Sequence, residues 1–188
     1  MIVLALSMAG CGADAALGAA DTAEVAPPGC LEVPATVALG GSGSDDLGRP
    51  TWTEMPAGSP QTMVHGPQGG WHILAGADVR HAGDIVTLIY TIHWPAHDDA
   101  QVSYGNFKVM LVPHDDGCGG WYAGMYGILD VTALAHGEAD TPPELLGGET
   151  LLLRMQATDL EGRTATDEVE VIAALDPVDV DDGDTAAE

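Results

Sequence analysis

At 188 residues the chain has room for one domain with a tail at each end. Its 25 glycines and 12 prolines favour short strands joined by turns over long helices. Five basic residues stand against 29 acids, a formal net charge of −24; such a surface repels phosphate backbones and anionic headgroups, which argues against nucleic acid as a partner. Solubility outside the cell is the plain use of such acidity, and attraction of a cationic partner or of divalent cations is the other.

Residues 2–10, Ile-Val-Leu-Ala-Leu-Ser-Met-Ala-Gly, are too few to span a membrane as a mature helix and suit the apolar core of a secretory signal ending in small residues. The run Met8-Ala9-Gly10-Cys11 resembles the bacterial lipobox, in which a Leu-like residue and two small ones precede the Cys that is lipidated. Met8 stands where that motif prefers Leu. The Lys or Arg expected before the apolar run is missing, which fits a true start upstream of Met1. The resemblance implies cleavage by signal peptidase II before Cys11 and acylation of Cys11, which places the chain in a bacterial cell envelope, periplasmic or surface-exposed. Residues 12–29 are rich in Gly, Ala, Asp, Thr and Pro with little apolar periodicity, and read as a flexible tether. With Cys11 acylated, Cys30 and Cys118 remain as one pair in an oxidising compartment. A bridge between them closes a loop of about 90 residues and contributes about 4 kcal/mol. The alternative is two free thiols, which such a compartment disfavours.

The domain proper is expected over residues 30–175. Residues 31–39 read as a first strand, at an edge because of Pro34. Gly40 to Pro50 (GGSGSDDLGRP) reads as a loop, followed by a short strand around Trp52. Met63-Val64-His65 and Trp71-His72-Ile73-Leu74 read as two strands around a Gly-Pro-Gln-Gly-Gly corner. Residues 85–94 make the strongest strand, with Val86, Leu88, Tyr90, Ile92 and Trp94 on one face. Both its faces are largely apolar, as a central strand requires. In 101–112, Ser103, Gly105, Phe107, Val109 and Leu111 alternate against Tyr104, Asn106 and Lys108. After a Gly-rich loop holding Cys118, residues 121–129 form a further strand, and 130–148 a long connection with one helical turn near Val131–Ala135.

The clearest pattern comes last. Leu151, Leu153, Met155 and Ala157 point one way, the chain turns through Asp159-Leu160-Glu161-Gly162-Arg163, and Val169, Val171 and Ala173 point inward on the return. This hairpin resembles the closing F–G hairpin of bacterial immunoglobulin-like domains, and the resemblance implies an all-β, immunoglobulin-like antiparallel β-sandwich. Fold alone carries no activity. Residues 176–188 hold six acids in thirteen positions and read as a disordered acidic tail.

Candidate chemistry rests on histidines and aspartates. His65 and His72 flank the corner at residues 66–70, and paired strands would bring both imidazoles to one end of a hairpin, where copper or zinc is the metal to expect. The segment resembles one in uncharacterised lipoproteins of predatory and other soil bacteria, which implies no activity. Glycines that permit a sharp corner are the plainer reading. His93 and His97 stand roughly 13 Å apart if extended, so only a turn at Pro95 converges them with Asp98 or Asp99; solvated loop residues are the default. His114, Cys118 and Met125 on a β-sandwich resemble blue-copper proteins, but the second His those proteins place between Cys and Met is absent, and a disulfide competes for the sulfur. Asp45-Asp46, Asp98-Asp99, Asp115-Asp116 and Asp181-Asp182 offer calcium ligands outside any EF-hand spacing. No Gly-x-Ser-x-Gly, His-Glu-x-x-His or phosphate-cradling loop is present. The expectation is therefore a non-enzymatic, membrane-anchored surface module that binds a protein partner at the cell surface and needs no cofactor, with a metal-binding protein as the alternative.

Overall fold

The computed structural model describes residues 29–66, 70–135 and 141–177. The expected signal segment, Cys11 and the tether up to residue 28, the Pro67–Gly69 corner, and the tail from residue 178 with Asp181-Asp182 lie outside them. The described chain is all-β, as the periodicity predicts. Ten strands form: β1 Thr36–Ser44, β2 Pro50–Glu54, β3 Pro60–His65, β4 Trp71–Arg80, β5 Ile85–Trp94, β6 Ala100–Met110, β7 Val112–Pro113, β8 Gly119–Ile128, β9 Thr150–Asp159 and β10 Thr164–Leu175. A single short helix, α1 Pro142–Leu146, precedes β9 among the described residues.

The strands make one sheet that curls into two facing layers. One layer runs β2-β1-β4-β8-β7, the other β10-β9-β5-β6. Strand β3 joins them: Pro60–Met63 lies parallel to Ile172–Leu175 of β10, and Val64–His65 pairs antiparallel with Trp71–His72 of β4. All other pairings are antiparallel.

Strand β5 is central, paired with β6 on one side and β9 on the other. Its predicted inner face, Val86, Leu88, Tyr90, Ile92 and Trp94, is buried along its whole length. Leu151, Leu153, Met155 and Ala157 of β9 and Val171 and Ala173 of β10 continue that face. The opposite layer meets it with Leu39 of β1, Met125 of β8, and Ile73, Ala75, Ala77 and Val79 of β4. Gly127 of β8 abuts Tyr90 and Ile92 directly. A shift of register at Ile92/His93 explains why Val102 and Ser103 of β6 are both buried despite being neighbours.

Three local expectations are corrected. Residues 31–39 do not form one strand: Cys30–Glu32 is a 3-10 turn entered through Gly29 at φ 89°, and β1 starts only at Thr36, past Pro34. The Gly40 to Pro50 segment is not all loop, because Gly40 to Ser44 pairs residue by residue with Pro50 to Glu54. Glycine is needed there for space: the Trp52 indole lies where a Cβ on Gly40 would go and within 3.0 Å of one on Gly76. The helix lies at Pro142–Leu146 instead of Val131–Ala135, where a single turn closes with Leu134 N–H donating to Val131 O at 2.8 Å. Thr141 starts α1, its backbone N–H and Oγ1 donating to Glu144 at 3.1 and 2.7 Å, and Leu146 anchors it in the core.

A methyl group on Gly127 would sit 2.6 Å from Tyr90 Cε1 and 2.7 Å from Ile92 Cδ1. Both are fully buried, so neither can retreat. Gly127→Ala is expected to lower the unfolding free energy by about 1–3 kcal/mol, measured by chemical denaturation, with the β-sheet circular dichroism of the folded state retained.

Candidate functional site

The residues singled out for metal chemistry do not assemble as pairs of ligands. In the β3–β4 hairpin Val64 stands opposite His72, and His65 opposite Trp71, so the pleat sends the two imidazoles to opposite faces. His65 tilts against the Trp71 ring with centroids 5.0 Å apart, and His72 meets Tyr126 edge-on at 5.0 Å. Gly66 covers His72, which is 8% exposed. Burial, and then the field of nearby His65, holds the His72 imidazole below its ordinary pKa.

His93 and His97 also separate. His93 lies on the outer side of β5, its Nδ1 3.2 Å from Asp99 O and its Nε2 3.2 Å from Thr91 Oγ1. His97 stacks on Trp94, with centroids 3.7 Å apart. Trp94 belongs to the inner face and donates from Nε1 to Glu149 at 3.2 Å. The turn at Pro95 thus does not converge the two rings.

The third group separates as well. His114 Nε2 lies 2.8 Å from Asp78 Oδ1. Cys118 is bonded to Cys30, and Met125, fully buried in the core, stands six residues beyond Gly119, roughly 20 Å along the strand.

The aspartate pairs serve their own turns. Asp45 Oδ1 accepts the N–H groups of Leu47 and Arg49, both at 2.9 Å, and Asp45 Oδ2 accepts from Arg49 Nε at 2.7 Å. The Arg49 backbone bond foremost holds the Asp45 carboxyl below its ordinary pKa. Asp99 accepts from Arg154 Nη1 at 3.1 Å. Asp116 accepts the Cys118 N–H at 2.9 Å, the main reason its own pKa is lowered. A shallow open depression of about 540 Å³ lies on the outer side of β5, β9 and β10, lined by Ile89, Thr91, Arg154, Gln156 and Thr166 among others. It has no buried acid–base pair or nucleophile.

One cluster does converge. Cys30 and Cys118 form the expected disulfide, with Cα atoms 5.4 Å apart across a separation of 88 residues. His81, at the exit of β4, completes the group: its ligating nitrogen and the two sulfurs lie within 4.8 Å of one another, the one such trio of metal-ligating side chains among the described residues. Three elements deliver it. The 3-10 turn brings Cys30, the end of β4 brings His81, and the turn before β8 brings Cys118. Gly119 lets that last turn close, since at φ 99° its backbone crosses against the Val79 carbonyl where a side chain would collide.

His81 itself sits at φ 56°, in the left-handed region that non-glycine residues seldom adopt. Its N–H donates to Cys118 O at 3.1 Å, and its Nδ1 lies 3.2 Å from Cys30 O. Arg163 Nη1 donates to His81 O at 3.2 Å and to Leu31 O at 3.3 Å. Arg163 in turn pairs with Asp159, whose carboxylate has no exposed side-chain surface. Sequence reading finds the two cysteines as the pair left once Cys11 is set aside but misses His81, because nothing in the spacing from Arg80 to Gly83 ties it to positions 30 and 118.

No protein-family model matches the chain, and no curated protein matches it.

Replacing both Cys30 and Cys118 by Ser is expected to lower the unfolding free energy by about 2–5 kcal/mol, while the sheet signal by circular dichroism persists. The depressed His72 pKa sets a pH dependence of known sign. The unfolded chain binds a proton at His72 near the ordinary value of about 6.5, and the folded chain only at lower pH. The His72 contribution is therefore complete above that value and is lost as pH falls through the window below it. Denaturation midpoints measured from pH 8 to pH 5 are expected to fall less steeply in His72→Phe than in the unaltered chain.

Proposed function

We propose that this chain is an exported bacterial lipoprotein, held to the cell envelope through Cys11, whose immunoglobulin-like domain acts without catalysis as a binding module for a protein partner. The observation that carries the reading is the Cys30–Cys118 bridge, since such a bond persists in an oxidising compartment. The lipobox-like run before Cys11 and the charge of −24 support the same address.

Binding is favoured over catalysis by how the polar side chains are used. Arg49, Arg80, Arg154 and Arg163 each pair with an acid of a turn or neighbouring strand, and His114 is held by Asp78. What the molecule presents outward is sheet surface. Tyr126 and Ile128 of β8 and Tyr104 of β6 are each more than half exposed, the kind of side chain that anchors protein contacts.

Intact mass after expression in a host that processes lipoproteins tests the address. A chain starting at Cys11 with a diacyl or triacyl increment is expected, and an unmodified Met1 terminus would defeat the proposal. Elemental analysis of the same protein, purified oxidised and without an affinity tag, separates the alternative. Stoichiometric copper or zinc lost in a His65→Ala, His72→Ala double variant would favour a metal-binding protein.

A further inference from the structure

We infer that Cys30, Cys118 and His81 form a redox-gated site for a thiophilic d10 cation such as Zn2+, closed in the disulfide form and opened by reduction. The two sulfurs and the imidazole nitrogen already stand within 4.8 Å of one another, and two thiolates with one imidazole are a donor set that such ions favour. Their Cα atoms are brought together by three separate elements, so the site does not depend on one flexible loop.

The backbone of His81 is the second, independent observation. A non-glycine residue at φ 56° persists only where its surroundings over-determine it. Here the bonds from His81 N–H to Cys118 O and from Arg163 to His81 O do so. Neither bond involves a sulfur, so cleavage of the disulfide does not itself break either. Nδ1 of His81 lies 3.2 Å from Cys30 O, which fixes the ring beside the bridge.

The chemistry balances. A dithiol reductant transfers two electrons and two protons to the disulfide, leaving two protein thiols and its own disulfide. Binding of a dication to both thiolates and the neutral imidazole then releases the two thiol protons. Reoxidation by a disulfide of higher potential reforms the Cys30–Cys118 bond and expels the ion. The inference shares the Cys30–Cys118 bridge with the reading above, and adds that a dithiol reductant reaches it where the chain resides.

The test uses the full chain carrying Cys11→Ser, in which Cys30 and Cys118 are the remaining thiols. It is reduced with dithiothreitol, desalted without oxygen and titrated with Zn2+ against a chromophoric chelator, beside the oxidised form. The reduced chain is expected to take up one Zn2+ more than the oxidised chain. Co2+ in its place should give a thiolate-to-metal charge-transfer band. His81→Asn, which tolerates the left-handed backbone, should weaken that uptake by at least about tenfold, the effect even of outer-shell changes at metal sites. Equal uptake by the two redox forms would overturn the inference, as would undiminished affinity in His81→Asn. Loss of the sheet signal on reduction would overturn it too, because the sheet must hold His81 in place without the sulfur–sulfur bond.

Discussion

The arrangement depends on a steric complementarity between large and small side chains across the sheet. One layer supplies Leu88, Tyr90, Ile92, Leu151, Leu153 and Met155, all at or near zero exposure. The facing layer sets Ile73 and Val79 of β4 and Met125 of β8 beside the small Ala75, Ala77 and Gly127, so that large and small side chains are interspersed along it. The same device recurs on the outer side, where Trp52 lies against Gly40 and Gly76 and leaves no room for a Cβ on Gly40. Close-packed interiors need such matching because a void or an overlap of even one methyl group is felt. The glycine content that first reads as a marker of loops is thus partly a packing requirement of strands.

That substitution of space for side chains explains what the sequence made legible. Strands β5, β9 and β10 announce themselves because apolar and polar residues alternate along them, and Leu151 through Ala157 can be read one by one. The Gly40 to Ser44 stretch offers no alternation, since glycine has no side to show, and its strand character comes from Trp52 and Thr53 on its partner β2. Cys30 and Cys118 were legible as the pair left once Cys11 is set aside, whereas His81 was not. Its place beside the bridge follows from where β4 ends relative to the turn before β8, a tertiary fact with no local signature. The capping residues Thr141 and Glu144 carried a local signature that outweighs the apolar run at Val131 to Ala135.

Electrostatics completes the frame with few cations. Three of the four arginines each span two acids: Arg80 meets Asp78 and Asp116, Arg154 meets Asp99 and Glu168, and Arg163 meets Asp159 and Glu161. Arg49 closes the β1–β2 turn on Asp45. Exposed pairs of this kind contribute little stability singly, but they hold turns in one geometry in a chain whose net charge otherwise drives them apart. The Arg163–Asp159 pair differs, because the acid is wholly buried and removal of either partner strands a charge.

Arg163 also explains how one end of the molecule is held twice. The disulfide joins the segment entering β1 to the segment entering β8. Arg163 independently ties Leu31, one residue past Cys30, to His81 at the exit of β4, and does so from the β9–β10 turn fixed by Asp159. The covalent link and the charged clamp share the segment entering β1: the bridge ties it to the turn before β8, and the clamp ties it to the exit of β4. Cleaving the bridge would therefore leave the segment entering β1 still tied to the exit of β4 through Arg163. A left-handed backbone alone does not set His81 apart, since Asp98 and Asp99 adopt it too; what sets it apart is the company of two sulfurs within 4.8 Å.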